Sequence, residues 1–116
     1  MNYLVMISGS YCGEPEEGQS FEQPYKLFKD LEEAISSADT WVKESAEKEK
    51  FPGTDTFGYL NSYFMAFTAR VVEMTQETTP IIVYTTWSDI DFVADGKTKN
   101  VVLSHTDERV EYPHRP

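Results

Sequence analysis

Cysteine and histidine are scarce in this 116-residue chain, which contains one Cys and two His. A single cysteine cannot build a disulfide framework or a multi-cysteine zinc module. Cys12 is instead typical of a reducing compartment, where thiols stay free. His105 and His114 belong to no H-x-x-x-H or H-E-x-x-H pattern, so the sequence predicts no metal site.

Basic residues and long hydrophobic runs are also lacking. Ten Lys and Arg stand against 20 Asp and Glu, for a net charge of −10, which disfavours direct binding to the phosphate backbone of nucleic acid. No window approaches the roughly 18 consecutive apolar residues of a membrane span, and the apolar N-terminus has no basic region of the signal-peptide type. These absences predict a cytoplasmic protein (in the host cytoplasm, if the protein is viral) without membrane contact.

The chain does have the means to bury a core. Hydrophobic residues make up 40% of it, and the aromatic residues are 7 Phe, 7 Tyr and 2 Trp. Intrinsically disordered chains are poor in aromatic residues, and a length of this order corresponds to one domain. We therefore expect a single folded domain over residues 1–116.

One amphipathic helix is predicted over residues 31 to about 50. Its apolar residues follow a 3.6-residue period and are Leu31, Ala34, Ile35, Ala38, Trp41, Val42 and Ala46. Asp30 is a favourable N-cap, with Glu33 three residues later, and Pro52-Gly53 ends the pattern. We expect Trp41 and Val42 near the centre of the contact between the helix and a sheet.

The remaining apolar segments predict strands. Residues 2–8 are apolar on both faces, which predicts a central strand; residues 63–74 fit both periodicities, and their aromatic and β-branched content favours a strand. Further strands are predicted at 25–28, 81–87, 90–94 and 101–105. Asp95-Gly96 starts a hairpin connection between the last two.

The predicted fold class is therefore α+β, a mainly antiparallel sheet of four to six strands packed by one long helix. Two segments are expected to lie outside this framework. Residues 9–24 are rich in glycine, proline and glutamate, which predicts an exposed acidic loop. Residues 106–116 are polar and predict a C-terminal tail.

Acidic residues are concentrated in one part of the chain. Seven acids between positions 14 and 33 face only Lys26 and Lys29, a local balance of −5. Such a surface attracts basic partners, although acidic loops also simply keep a small domain soluble. The predicted partner-binding residues are Glu14, Glu16, Glu17, Glu22, Asp30, Glu32 and Glu33.

The leading functional hypothesis is a non-enzymatic acidic protein that binds a basic protein partner. Its concrete version is an inhibitor, of phage or mobile-element type, that occupies the site of a nucleic-acid-handling protein by imitating phosphate charge. No motif assembles catalytic residues, a cofactor site or a metal site, so none is assigned.

Two alternatives remain open at this stage. The first is a small enzyme or ligand-binding domain with a site between the 9–24 loop and the sheet, where Cys12, His105 and carboxylates would converge. The second is a structural subunit, a homodimer formed through a sheet edge or through the aromatic residues Phe51, Phe57, Tyr59, Tyr63 and Phe64.

Overall fold

The computed structural model describes residues 2–12, 20–49, 64–75, 79–93, 95 and 98–112. Its elements are β1 (Asn2–Cys12), β2 (Ser20–Phe28), α1 (Leu31–Lys48), β3 (Phe64–Met74), β4 (Ile81–Phe92), β5 (Lys99–Thr106) and β6 (Val110–Glu111). The strands pair antiparallel in the order β2-β1-β3-β4-β5, and β6 pairs with β4. The predicted α+β class, with one helix against an antiparallel sheet, is confirmed.

Helix α1 begins at its predicted cap. The Asp30 carboxylate accepts a hydrogen bond from the Glu33 backbone N–H at 3.2 Å, which satisfies one of the free donors of the first turn. The side chains that face the sheet are fully buried and lie four residues apart: Ala34, Ala38, Val42 and Ala46. Because three of the four are alanines, the helix can approach Val5 and Val71, which are themselves fully buried.

The C-terminus of α1 is capped by a lysine from a distant strand. Lys99 of β5 directs its ammonium group at the end of the helix, where Nζ donates to the carbonyl oxygens of Ala46 at 3.0 Å, Glu47 at 2.6 Å and Glu49 at 2.7 Å. The last carbonyls of an α-helix lack the donor four residues ahead, although Ala46 O also accepts the Glu49 backbone N–H at 3.2 Å. A cation at this end also complements the helix dipole. The cap ties α1 to the edge of the sheet opposite β2.

Lys99→Met should lower the free energy of unfolding by about 2 kcal/mol, because it removes charge-assisted hydrogen bonds while it keeps the aliphatic stem. Urea unfolding measures this loss, and hydrogen exchange should show faster exchange in the last turn of α1. Lys48→Met is the matched control, since Lys48 is an exposed lysine of the same last turn. Equal effects of the two substitutions would contradict the capping role.

The strands are longer than predicted at several places. β1 extends to Cys12 and β2 begins at Ser20, so the expected loop over 9–24 is corrected at both ends; Ser10 pairs with Ser20 across the two strands. β4 is one strand instead of the two predicted at 81–87 and 90–94. Ser88 is buried and Asp89 exposed, so these polar residues continue the period-two alternation without a break.

Other predicted segments agree with the structure or lie beyond its described part. β3 confirms the strand interpretation for residues 64–74, and β1 pairs along both edges. β4 and β5 form the expected hairpin, closed by a hydrogen bond from Val93 N to Thr98 O at 2.9 Å. Residues 13–19 and 50–63 are outside the described residues, as are 113–116.

The prediction of a polar tail from residue 106 is wrong for its first half. β5 includes Thr106, and Val110 of β6 pairs with Ile82. Tyr112 N then donates to Pro80 O at 2.8 Å, and both Val110 and Tyr112 pack against a second apolar cluster, on the sheet face opposite α1. Two apolar side chains in a polar segment are enough to hold it because that face offers buried surface.

Candidate functional site

A groove of about 480 Å³ runs between the edge strand β2 and helix α1. Its lining combines aromatic, hydroxyl and charged side chains: Tyr25, Lys26, Phe28, Glu33, Ser36, Ser37, Thr40, Trp41 and Glu44. The helix residues in this set recur every three or four positions, so they lie along one side of α1. That side borders the buried alanine stripe, which places the groove where the core meets solvent.

A β-bulge in β2 sets the position of Tyr25. Lys26 pairs with Val5, and Pro24 pairs with the next residue of β1, so Tyr25 is the extra residue between two pairs. A bulge bends its strand and redirects the side chain, and proline is tolerated there because β2 is an edge strand. The Tyr25 ring consequently lies 6.4 Å from the ring of Trp41, centroid to centroid.

Trp41 forms the floor of the groove. Its indole is half-buried and meets Phe21 at 6.3 Å and Phe67 at 5.6 Å, both with interplanar angles of 85°. Edge-to-face pairs of this kind contribute roughly 0.5–1.5 kcal/mol each beyond their buried area. The indole is therefore held in one orientation by the core and offers its remaining surface to the groove.

Two exposed carboxylates stand at the rim of the groove. Glu33 and Glu44 lie three helical turns apart, a distance of about 16 Å along α1. Neither forms an ion pair with a Lys or Arg of the described residues. The basic residue of the lining, Lys26, places Nζ 5.2 Å from the centroid of the Tyr25 ring, a cation–π contact. Aromatic rings beside free carboxylates are the combination that binds lysine and arginine side chains.

Four of the seven predicted partner-binding acids are among the described residues, and these four do not share one surface. Asp30, Glu32 and Glu33 lie together at the start of α1, and all three are exposed. Glu22 lies on the other face of the sheet, because it alternates along β2 with Phe21, which packs beneath Trp41. Glu14, Glu16 and Glu17 are outside the described residues.

The residues of the alternative enzyme site are far apart. His105 of β5 pairs with Thr86 of β4, Thr86 pairs with Ala69 of β3, and Ala69 pairs with Ile7 of β1. These residues form one row across the sheet. Cys12 lies five residues further along β1, about 17 Å by strand rise alone. His105 instead stacks on the Tyr84 ring at 5.5 Å, on the helix side of the sheet. The described strands therefore do not bring Cys12 and His105 together.

Tyr84 is the most perturbed titratable group among the described residues. Its hydroxyl donates to Asp39 Oδ1 at 2.7 Å. Burial, reinforced by the hydrogen bond and the charge of Asp39, raises the pKa of Tyr84 to about 12. The phenol is thus neutral at physiological pH and acts as a donor that joins β4 to α1.

Tyr84→Phe should cost about 1.5 kcal/mol in the free energy of unfolding at neutral pH, because it leaves the half-buried Asp39 carboxylate without its donor. The pKa of Tyr84 is higher in the folded chain than the ordinary 10, so this stabilisation is complete below pH 10 and is lost as the pH rises towards 12. Urea unfolding across this range should show the two proteins converging. A difference that stays constant with pH would contradict the assignment.

Part of the groove is not predictable from the sequence. The apolar period predicts Trp41 only as a core residue, the strand pattern predicts Tyr25 only as part of a short strand, and no motif marks Glu44 as a site residue. A signal exists in the spacing of Glu33, Thr40 and Glu44, which runs parallel to the apolar stripe at helical intervals. The bulge that delivers Tyr25 has no such signal.

No group of three or more His, Cys, Asp or Glu in the described part of the chain is arranged to hold a metal ion. Within the same residues, no helix is long and apolar enough to cross a membrane. The chain matches no family model, and no curated protein or solved structure is significantly similar to it. Functional inference therefore depends on the geometry of the groove.

Proposed function

We propose that this chain is a non-enzymatic binding protein whose groove between β2 and α1 engages a basic protein partner. The observation that carries the proposal is the pair Glu33 and Glu44, unpaired with described cations and set at the rim of an aromatic floor. A lysine or arginine side chain can stack on Tyr25 or Trp41 while a carboxylate neutralises its charge. The net charge of −10 would accelerate the encounter with such a partner.

The partner class that fits this chemistry is a protein with a basic surface built for phosphate. Asp30 and Glu32 extend the row of carboxylates from the groove around the first turn of α1, where they are exposed. A row of carboxylates on a rigid helix presents negative charge in the way that a phosphate backbone does to arginine and lysine. We accordingly propose inhibition of a nucleic-acid-handling protein by charge mimicry as the specific activity.

The groove also contains its own competitor for a partner cation. Lys26 occupies the Tyr25 ring in the free protein, so a partner's arginine would displace it or stack on the exposed part of Trp41. An exposed lysine has several rotamers and is readily displaced. Lys26→Ala should therefore preserve or strengthen partner binding, because it frees the Tyr25 ring and removes a positive charge that repels a basic partner.

Affinity capture with paired variants tests the proposal. The wild-type protein and Glu108→Lys/Glu111→Lys, which changes exposed acids outside the groove, should recover the same basic protein from cell extract. Glu33→Lys/Glu44→Lys should not recover it, and duplex DNA should release it from the wild type. Recovery by the groove variant would reject the groove as the binding surface, and resistance to DNA would reject the mimicry.

A further inference from the structure

A second concave site lies on the sheet face opposite α1. It has a volume of about 290 Å³, and its lining includes Ser8, Ser10, Glu22, Ala66, Thr68 and Arg70. Small side chains on β1 and β3 form its base, because Ser10 pairs with Ala66 and Ser8 pairs with Thr68. The longer side chains of Glu22 and Arg70 rise beside this depression, so one carboxylate and one guanidinium border the same cavity.

Arg70 has donor capacity that the described residues do not use. Its half-buried guanidinium donates from Nη1 to Ser8 Oγ at 3.5 Å. Ser8 Oγ donates its own proton to Thr68 O at 3.3 Å, which leaves the oxygen lone pairs for Arg70. Arg109, by contrast, pairs with Glu73 at 3.1 Å, whereas Arg70 has no carboxylate within ion-pair distance among the described residues.

Glu22 and Arg70 are held close but out of contact. Glu22 of β2 pairs with Ser8 of β1, and Ser8 pairs with Thr68 of β3. Two strand spacings, about 10 Å, therefore separate the backbones of Glu22 and Thr68, and Arg70 lies two residues beyond Thr68 on β3. The Tyr112 hydroxyl donates to Glu22 Oε1 at 3.4 Å. Burial and Glu22 raise the pKa of Tyr112 while Arg70 opposes the shift, so both charges act on this one phenol.

We propose that this cavity binds a small zwitterion of the amino-acid class. Its carboxylate would accept hydrogen bonds from Arg70, and its ammonium group would donate to Glu22. The sheet register keeps the charges of Glu22 and Arg70 apart, which leaves room between them for a ligand that carries both an ammonium group and a carboxylate. A guanidinium group is the side chain best suited to bind a carboxylate. A phosphate dianion would meet repulsion from Glu22, and a simple cation would meet repulsion from Arg70.

Titration of the ¹⁵N-labelled protein with glycine and L-alanine tests this site. We expect saturable shifts in the amides of Ser8–Ser10 and of Thr68 and Arg70. Acetate, methylammonium and inorganic phosphate, which each lack one of the two charges, should bind at least about tenfold more weakly. Equal binding of acetate or phosphate would overturn the zwitterion assignment, and the absence of saturable shifts with both amino acids would overturn the site.

Variants separate recognition from folding. Glu22→Gln changes an exposed side chain and should weaken L-alanine binding about tenfold or more, as should Arg70→Gln. Arg109→Gln, which removes the paired arginine, should leave the affinity unchanged. Normal L-alanine affinity in the folded Glu22→Gln protein would contradict the proposal, whatever the stability of Arg70→Gln. The groove between β2 and α1 is not involved, so this test is independent of the proposed function.

Discussion

Reversing both rim charges of the groove, with Glu33→Lys and Glu44→Lys, should weaken the binding of an oligo-arginine peptide by about 50-fold at low salt. An exposed ion pair contributes about 0.6 kcal/mol, and reversal replaces that attraction with repulsion of similar size, so the two sites together change the binding free energy by about 2.4 kcal/mol. Fluorescence anisotropy of a labelled peptide measures the affinity. The effect should shrink as salt is added, because the charges involved are exposed to solvent.

The matched control for this prediction is Glu108→Lys/Glu111→Lys. Each Glu→Lys substitution adds two positive charges, so both double variants change the net charge from −10 to −6. A specific groove requires the control to lose only a few-fold in affinity, whereas a diffuse negative field predicts the same loss in both. Identical affinities of the two double variants would therefore contradict a localised site.

Trp41→Ala should lower the free energy of unfolding by about 3 kcal/mol, the lower end of the range for loss of a large aromatic side chain, since the indole is only half-buried. The loss arises because the edges of Phe21 and Phe67 lose the ring against which they pack. Urea or thermal unfolding measures it. The same variant should also bind the oligo-arginine peptide less tightly.

Trp41→Phe distinguishes packing from a general intolerance of substitution at this position. Phenylalanine preserves an aromatic ring and most of the buried area, so this variant should retain more than half of the stability that alanine loses. Equal free energies of unfolding for the Trp41→Ala and Trp41→Phe proteins would mean that an aromatic ring at this position contributes little to stability. The floor of the groove would then not be part of the core as described.

The helix was predictable because independent signals coincide there. The apolar period, the Asp30 cap and the acids of the first turn all indicate the same start, and the structure begins α1 at Leu31. The strands were predictable from β-branched and aromatic residues, but their ends were not. The polar residues Ser88 and Asp89 interrupt the apolar composition and so suggest the end of a strand. In β4 they occupy one buried and one exposed position, as the alternation of a continuous strand requires.

Long-range features lay beyond what local patterns can indicate. Lys99 caps α1 from more than 50 residues away, and nothing near Lys99 in the sequence points to a helix. The acids of the N-terminal third are neighbours in sequence, but strand alternation sends Glu22 to the face opposite Phe21. Density of charge along a chain therefore indicates the sign of a surface better than it indicates which residues share it.

Only part of the groove was predictable, because its residues come together through long-range geometry. Glu33 was identified from the acidic segment, but its role depends on Glu44 and Trp41, which join it only through the geometry of α1. Tyr25 joins through a bulge in β2. Arg70 carried no sequence signal, because an isolated arginine in a strand indicates a functional role only when its surroundings are known.

The most direct test of the groove is an NMR titration of the ¹⁵N-labelled protein with the oligo-arginine peptide. The largest shifts should occur at the Trp41 indole N–H and at the backbone amides of Tyr25, Lys26 and the Glu33–Glu44 side of α1. The amides of Glu108 and Glu111 should hardly move. Shifts that are spread evenly over all acidic residues, or that are largest away from Trp41, would contradict the groove as the binding site.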